Sequence, residues 1–184
     1  VFFSIKKTGY GDALQIVSWE YSAPYEIYNL RNSPLVVVRL VDGRYYSVFT
    51  ELGLTGFFCY GPAGRLRMKH AAALYQNAKY LDVGLGMHPK FCGRGLGTYF
   101  VRAGLVYAYR AFGTNHFRLT AATGNIRAIK VYAKLGFIES GIIKGCVGPV
   151  SEFTVMTLDD FVPPSAAEQA RLNRDLPRLF QVND

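Results

Sequence analysis

Between Tyr80 and Thr98 the residues YLDVGLGMHP and KFCGRGLGT place a short apolar strand, a glycine-rich turn and the start of a helix in immediate succession. That order can seat an anion. The first amide hydrogens of a helix lack partners within it and stand at the positive end of the backbone dipole. Glycines at 93, 95 and 97 keep side chains out of the path of a ligand approaching the main chain. Gly93, Arg94, Gly95, Leu96, Gly97 and Thr98 are therefore the candidate seat. Taken alone, such a turn is in most proteins a tight corner. No Gly-Lys-Ser/Thr ending supplies the lysine and metal-binding hydroxyl of a nucleotide-hydrolysing loop, and the spacing G-x-G-x-G differs from the dinucleotide fingerprint G-x-G-x-x-G. What remains is a loop that holds its anion by backbone.

The elements that must position this loop follow from periodicity and turn chemistry. After the turn, Leu96, Tyr99, Phe100, Ala103, Val106 and Tyr107 repeat at three and four residues, which predicts a helix with that stripe inward and Arg102 and Arg110 outside it, ended by Gly113. His116 to Thr123 reads as a strand, and Asn125 caps a second helix with Ile129, Tyr132 and Leu135 inward and Arg127, Lys130 and Lys134 outward. Upstream, VFFSIKKT reads as a first strand, Tyr10 to Trp19 as a helix, and Arg44 to Glu51 with Leu54 to Tyr60 as a hairpin. Ser33-Pro34 signals a helix start while the valines after it favour a strand, so that element stays open. Gly61 to Lys79 reads as a long surface connection with a helical turn at His70 to Tyr75. Phe137 to Ile143 and Val150 to Leu158 form a closing strand pair, and after Pro163-Pro164 a short helix spans Ser165 to Leu176, with Leu172 and Leu176 on one side.

A second pattern joins the first. Asn125-x-x-Ala128-x-x-x-Tyr132-x-x-x-Gly136-Phe137 follows the glycine turn by about thirty residues, and together the two stretches resemble the GNAT superfamily of acetyl-CoA-dependent N-acetyltransferases. The family's loop pattern, Arg/Gln-x-x-Gly-x-Gly/Ala, falls on Cys92 to Gly97, with Cys92 where Arg or Gln is usual. The likeness covers roughly residues 1–158, taken as the acetyltransferase domain, and leaves 159–184 as a C-terminal extension. It implies an α/β (α+β) fold: a single mixed, mostly antiparallel sheet flanked by helices, its central strands splayed to form a CoA cleft.

The resemblance also implies roles. The pyrophosphate of acetyl-CoA rests on the glycine turn, and its arm pairs with main chain at Leu85 and Met87, whose amide can polarise the thioester carbonyl. Asn125 lies on the arm and Tyr132 near the sulfur. A tyrosine, with an ordinary pKa of about 10, still carries its proton at neutral pH and suits protonation of the leaving thiolate. Without the motif Tyr132 would be a core residue of an amphipathic helix. For the general base the strands offer Asp82, which is equally well a structural carboxylate, and Thr120. The aromatic stretch after Trp19 supplies Glu20, Tyr21, Tyr25 and Glu26 as residues facing a cationic amine. The implied reaction is acetyl transfer to a primary amine of a small molecule, amino acid or protein N-terminus, by direct attack in a ternary complex. A CoA-binding regulatory module without turnover is the alternative.

Composition sets the bounds. Half the residues are hydrophobic and 18% are charged, which predicts a folded domain, and no apolar run approaches the ~20 residues of a membrane span. Cysteines 59, 92 and 146 form no C-x-x-C pair, which fits a reducing cytoplasm, and neither Cys59 nor Cys92 shows an activating His-acid pair for an acyl-cysteine route. Histidines 70, 88 and 116 lack ligand spacing, so no metal is expected, and His88 beside Pro89 reads as a strand-end residue. The net charge of +8 is spread over several elements without a nucleic-acid-binding signature, so no nucleic-acid partner is expected; basic side chains near the loop suit the phosphates of CoA. A homodimer is compatible with all of this.

Overall fold

The computed structural model describes residues 3–180; Val1 and Phe2 of the expected first strand, and the side chain of Leu176, lie outside the described residues. In chain order the elements are β1 (Ser4–Lys7), α1 (Tyr10–Val17), α2 (Pro34–Leu40), β2 (Tyr45–Thr50), β3 (Gly53–Tyr60), β4 (Leu81–Met87), α3 (Gly97–Phe112), β5 (Phe117–Ala122), α4 (Ile126–Lys134), β6 (Ile138–Val147), β7 (Val150–Leu158) and α5 (Ala166–Phe180). The seven strands form one sheet in the order β1-β2-β3-β4-β5-β7-β6. Its neighbours are antiparallel except β4 and β5. Among the described residues no helix is long and apolar enough to cross a membrane.

The parallel pair is short. Leu81 faces Phe117 and Asp82 faces Arg118, and there the pairing stops. Beyond it β4 stays paired to β3 as far as Met87, while β5 stays paired to β7 as far as Ala122. The two strands therefore splay in the middle of the sheet, leaving edges whose polar groups need other partners.

The main core packs β2, β3, β4, β5 and β7 against α3 and α4 through Val48, Phe58, Phe100, Leu105, Phe117 and Leu119. A second cluster packs α1 and α2 on the other face through Ile16, Val37 and Leu40. The open element after Ser33 is a helix: Ser33 Oγ accepts the Val36 amide at 3.4 Å and Pro34 occupies the first turn, so the cap and the burial of Val37 and Leu40 outweigh valine's strand preference.

One expected stripe is rotated. In α3 the buried residues are Phe100, Val101, Gly104, Leu105 and Ala108, whereas Tyr99, Ala103, Val106 and Tyr107 border a groove under α5 together with Arg102 and Arg110. Apolar residues occupy both sides of this helix because it is sandwiched, with the sheet on one side and the C-terminal helix on the other. Phe161, just past β7, is itself buried in the main core. Helix α5 runs on to Phe180, longer than the expected Ser165 to Leu176.

Candidate active site

The splay opens a cleft, and four segments converge on it. Its first wall is the free edge of β4. The His88 amide donates to Thr55 O of β3 at 2.8 Å, so by the alternation of a strand the main-chain groups of Met87 and Leu85 face the opposite way, into the opening. Tyr21 reinforces this geometry by donating its hydroxyl to Met87 O at 2.8 Å, and burial, with a smaller contribution from nearby Cys92, pushes the Tyr21 phenol well above its usual range.

The second wall is the glycine turn. A short 3-10 turn at Pro89–Phe91 leads into it, and Gly93 and Gly95 take φ of +79° and +77°, left-handed backbone that favours glycine. Gly97 serves a different purpose. It opens α3, and a Cβ there would come within 2.9 Å of Val131 Cγ2, so its bareness lets α4 lie close to the turn. Leu96 points its side chain into a small cluster with Phe91, which leaves its main chain alone for any ligand. Arg94 is half-buried and lines neither cavity of the cleft.

The third wall is α4. Asn125 caps it by accepting the Ala128 amide at 3.2 Å, and its side-chain NH₂ donates to Tyr28 Oη at 3.0 Å. Arg127, Lys130 and Lys134 line a cavity of about 340 Å³ together with Gly93, Gly95 and Thr98. Cations from α4 thus face an open helix terminus, a combination that fits phosphate groups. Tyr132, on the inner face of the same helix, is 6% exposed, with its ring 6.0 Å from that of Phe137. It lines this cavity and also a smaller one, of about 140 Å³, between the splayed strands. Among the described residues no group hydrogen-bonds its hydroxyl. Burial, and secondarily the proximity of Tyr28, raise its pKa, so the phenol keeps its proton throughout the neutral range.

The fourth wall is the aromatic segment. Tyr25 caps and Tyr28 ends a 3-10 turn at Glu26–Tyr28, whose three-residue period sets both rings on the cleft side. The guanidinium of Arg127 lies 4.0 Å from the centre of the Tyr25 ring. The Tyr28 hydroxyl accepts the Ala122 amide at 3.3 Å and so satisfies part of the free edge of β5. Tyr28 was not among the sequence candidates. Its position three residues after Tyr25 in a proline-broken aromatic run was the available signal.

Several expected residues stand elsewhere. Asp82 is 2% exposed and does not line the cleft. It accepts from Arg118 Nε at 2.5 Å and Nη2 at 3.1 Å, and from Arg65 Nε at 2.6 Å, at the apex where β4 and β5 part. Arg118, also 2% exposed, further donates to the carbonyls of Leu74 and Tyr75, so the carboxylate is saturated inside a structural ion-pair network. Its geometry is that of a strut rather than a base. Glu20 and Glu26 are exposed and line neither cavity. Thr120 does line the opening, where its hydroxyl pairs with Tyr75 Oη at 2.8 Å. Cys92 also lines it, but burial raises its thiol pKa, outweighing the opposite pull of Arg127, which disfavours a thiolate nucleophile.

Residues 28–138, more than half of the chain, match the family model described as an acetyltransferase (GNAT) domain. No curated protein matches the sequence significantly. Among solved structures, the aminoglycoside acetyltransferase AAC(6')-Ib in complex with coenzyme A is 16% identical and aligns over 92% of this chain and 99% of its own, with a TM-score of 0.66. The spermidine/spermine N-acetyltransferase SpeG from Vibrio cholerae is 15% identical over 85% of this chain and 94% of its own, with a TM-score of 0.61. The ribosomal-protein-S5-alanine acetyltransferase from Vibrio fischeri is 17% identical over 88% and 96%, with a TM-score of 0.56. At such identities the likeness carries the fold alone. The stretch matched by the family model, from Tyr28 to Ile138, contains β4, the glycine turn, β5 and α4, and the chain accordingly belongs to the GNAT family of acetyltransferases and is an acyltransferase.

Proposed function

We propose that this chain transfers an acetyl group from acetyl-CoA to a primary amine by direct attack within a ternary complex. One observation carries the proposal: Tyr132, a largely buried side chain, offers a protonated hydroxyl, unpartnered among the described residues, on the wall shared by the two cavities of the cleft. The phosphates of acetyl-CoA are held by the turn from Gly93 to Thr98 and by Arg127, Lys130 and Lys134. Leu85 and Met87 present main-chain groups to its arm, in the manner of an added strand. The Met87 amide stabilises the negative charge that develops on the carbonyl oxygen, and Tyr21 keeps Met87 in place through its hydrogen bond.

In the chemical step the free base of the amine attacks the thioester carbon. The C–N bond forms, the C–S bond breaks, and Tyr132 gives its proton to the departing sulfur while the proton lost from nitrogen passes to water. Tyr132 is reprotonated from solvent. Asp82 is assigned a structural role because both its oxygens are engaged by guanidinium groups.

That saturation favours one alternative, a CoA-binding module without turnover. The two are separated by titrating CoA calorimetrically and then following thiol release from acetyl-CoA with a panel of primary amines. An acetyltransferase binds CoA and releases thiol only when a suitable amine is present. CoA binding with no turnover on any amine would favour the module, and no CoA binding would end both.

A further inference from the structure

We propose, on the acetyltransferase reading above, that the acceptor is a small primary amine on an aromatic or apolar body without a second positive charge. Its body would lodge in a recess beside the cleft. The recess measures about 230 Å³ and lies between the aromatic segment, with Pro24, Tyr25, Ile27 and Tyr28, and the start of β7, with Pro149 and Val150. It adjoins the central cavity, where Tyr132 stands, with Tyr25, Tyr28 and Asn125 forming the wall common to both. Only Asn125 is shared with the cation-lined cavity at the glycine turn. On this proposal the phosphates and the acceptor body lie on different sides of Tyr132, which lines the central and the cation-lined cavities.

The recess walls select by charge and by size. An ammonium set against Ile27, Pro149 and Val150 would lose part of its hydration to side chains that return no hydrogen bond, a cost that grows with each added charge. The Tyr25 ring, which could otherwise attract a cation, already carries the Arg127 guanidinium, and that charge repels a second one nearby. A single reacting amine escapes the penalty by entering as the free base. In volume the recess falls below the ~300–1,000 Å³ of sites for drug-sized ligands, room for about one ring rather than a linked series of sugars. The same fold therefore carries an acceptor seat unlike one suited to the polycations for which two of the structural neighbours are named.

The test compares kcat/KM for 2-phenylethylamine, spermidine, an aminoglycoside and a peptide with a free N-terminal alanine, on the full chain with saturating acetyl-CoA. In parallel each amine is titrated into the CoA-saturated protein. 2-Phenylethylamine is expected to lead by about tenfold or more, the discrimination an apolar pocket can supply. Val150→Glu places a carboxylate at the recess; it should lower kcat/KM for 2-phenylethylamine about tenfold and raise that for spermidine, with CoA affinity, measured as the check on folding, within about twofold of the parent. Preference for spermidine, the aminoglycoside or the peptide would overturn the proposal, as would an unchanged ranking in Val150→Glu. If CoA binds but 2-phenylethylamine neither binds nor reacts, the acceptor assignment fails alone; if CoA does not bind, the acetyltransferase reading fails with it.

Discussion

Asp82 and Tyr132 are both polar, both nearly inaccessible, and both placed where β4 and β5 part, yet their surroundings differ in kind. Asp82 is met by two guanidinium groups whose bonds tie β4 to β5 and to the segment before β4. Tyr132 is met by aromatic and aliphatic groups and keeps a hydroxyl that no described residue uses. Burial alone does not separate a strut from the acid we propose. The separation comes from whether the fold has already used the group's bonding capacity.

The contrast breaks most readily at its structural end. Arg118→Ala should cost about 3–5 kcal/mol in chemical denaturation, because it strands the Asp82 charge in the interior opposite Arg65 alone. A loss below about 1 kcal/mol would show that the network is not the strut described. Gly97→Ala pushes on the other side. Its new Cβ would meet Val131, the residue before Tyr132, and the overpacking should cost about 1–3 kcal/mol while lowering turnover by displacing the phenol. Unaltered turnover would indicate that α4 need not sit so close to the turn.

Tyr132→Phe should leave unfolding stability within about 0.5 kcal/mol of the parent, since it removes a hydroxyl with no partner among the described residues. A loss above about 1.5 kcal/mol would reveal a hidden bond and return Tyr132 to the structural side. The pH profile sharpens the same point with a still smaller effect. The Tyr132 pKa is raised in the folded protein, so its acid form persists at and above the usual phenol value of about 10. The rate should climb as the acceptor amine loses its proton and show no descending limb up to about pH 10; a descending limb centred near pH 8 would point to another acid.

How much of this was legible in the sequence depended on how local each feature is. The glycine turn and the Asn125 helix are patterns within single segments, and the fold brings them together as the resemblance implied. The role of Gly97 was not legible, because its neighbour Val131 belongs to another helix. The α3 stripe was misread because the helix carries apolar residues toward both the sheet and α5, and periodicity cannot rank two apolar faces. Asp82 stayed open between base and structural carboxylate because Arg118, 36 positions away, becomes its partner only once β4 and β5 pair in parallel. The Ser33-Pro34 cap, by contrast, was local and outweighed the valines that spoke for a strand.

The central claim, that the Tyr132 hydroxyl protonates the leaving thiolate, is tested most directly by measuring kcat for acetyl transfer and the dissociation constant for CoA on Tyr132→Phe beside the parent. The account predicts a fall in kcat of about 10²–10⁴-fold, the range for loss of a positioned general acid, with CoA affinity held within about twofold. An unchanged kcat, or a parallel loss of turnover and CoA affinity, would contradict it.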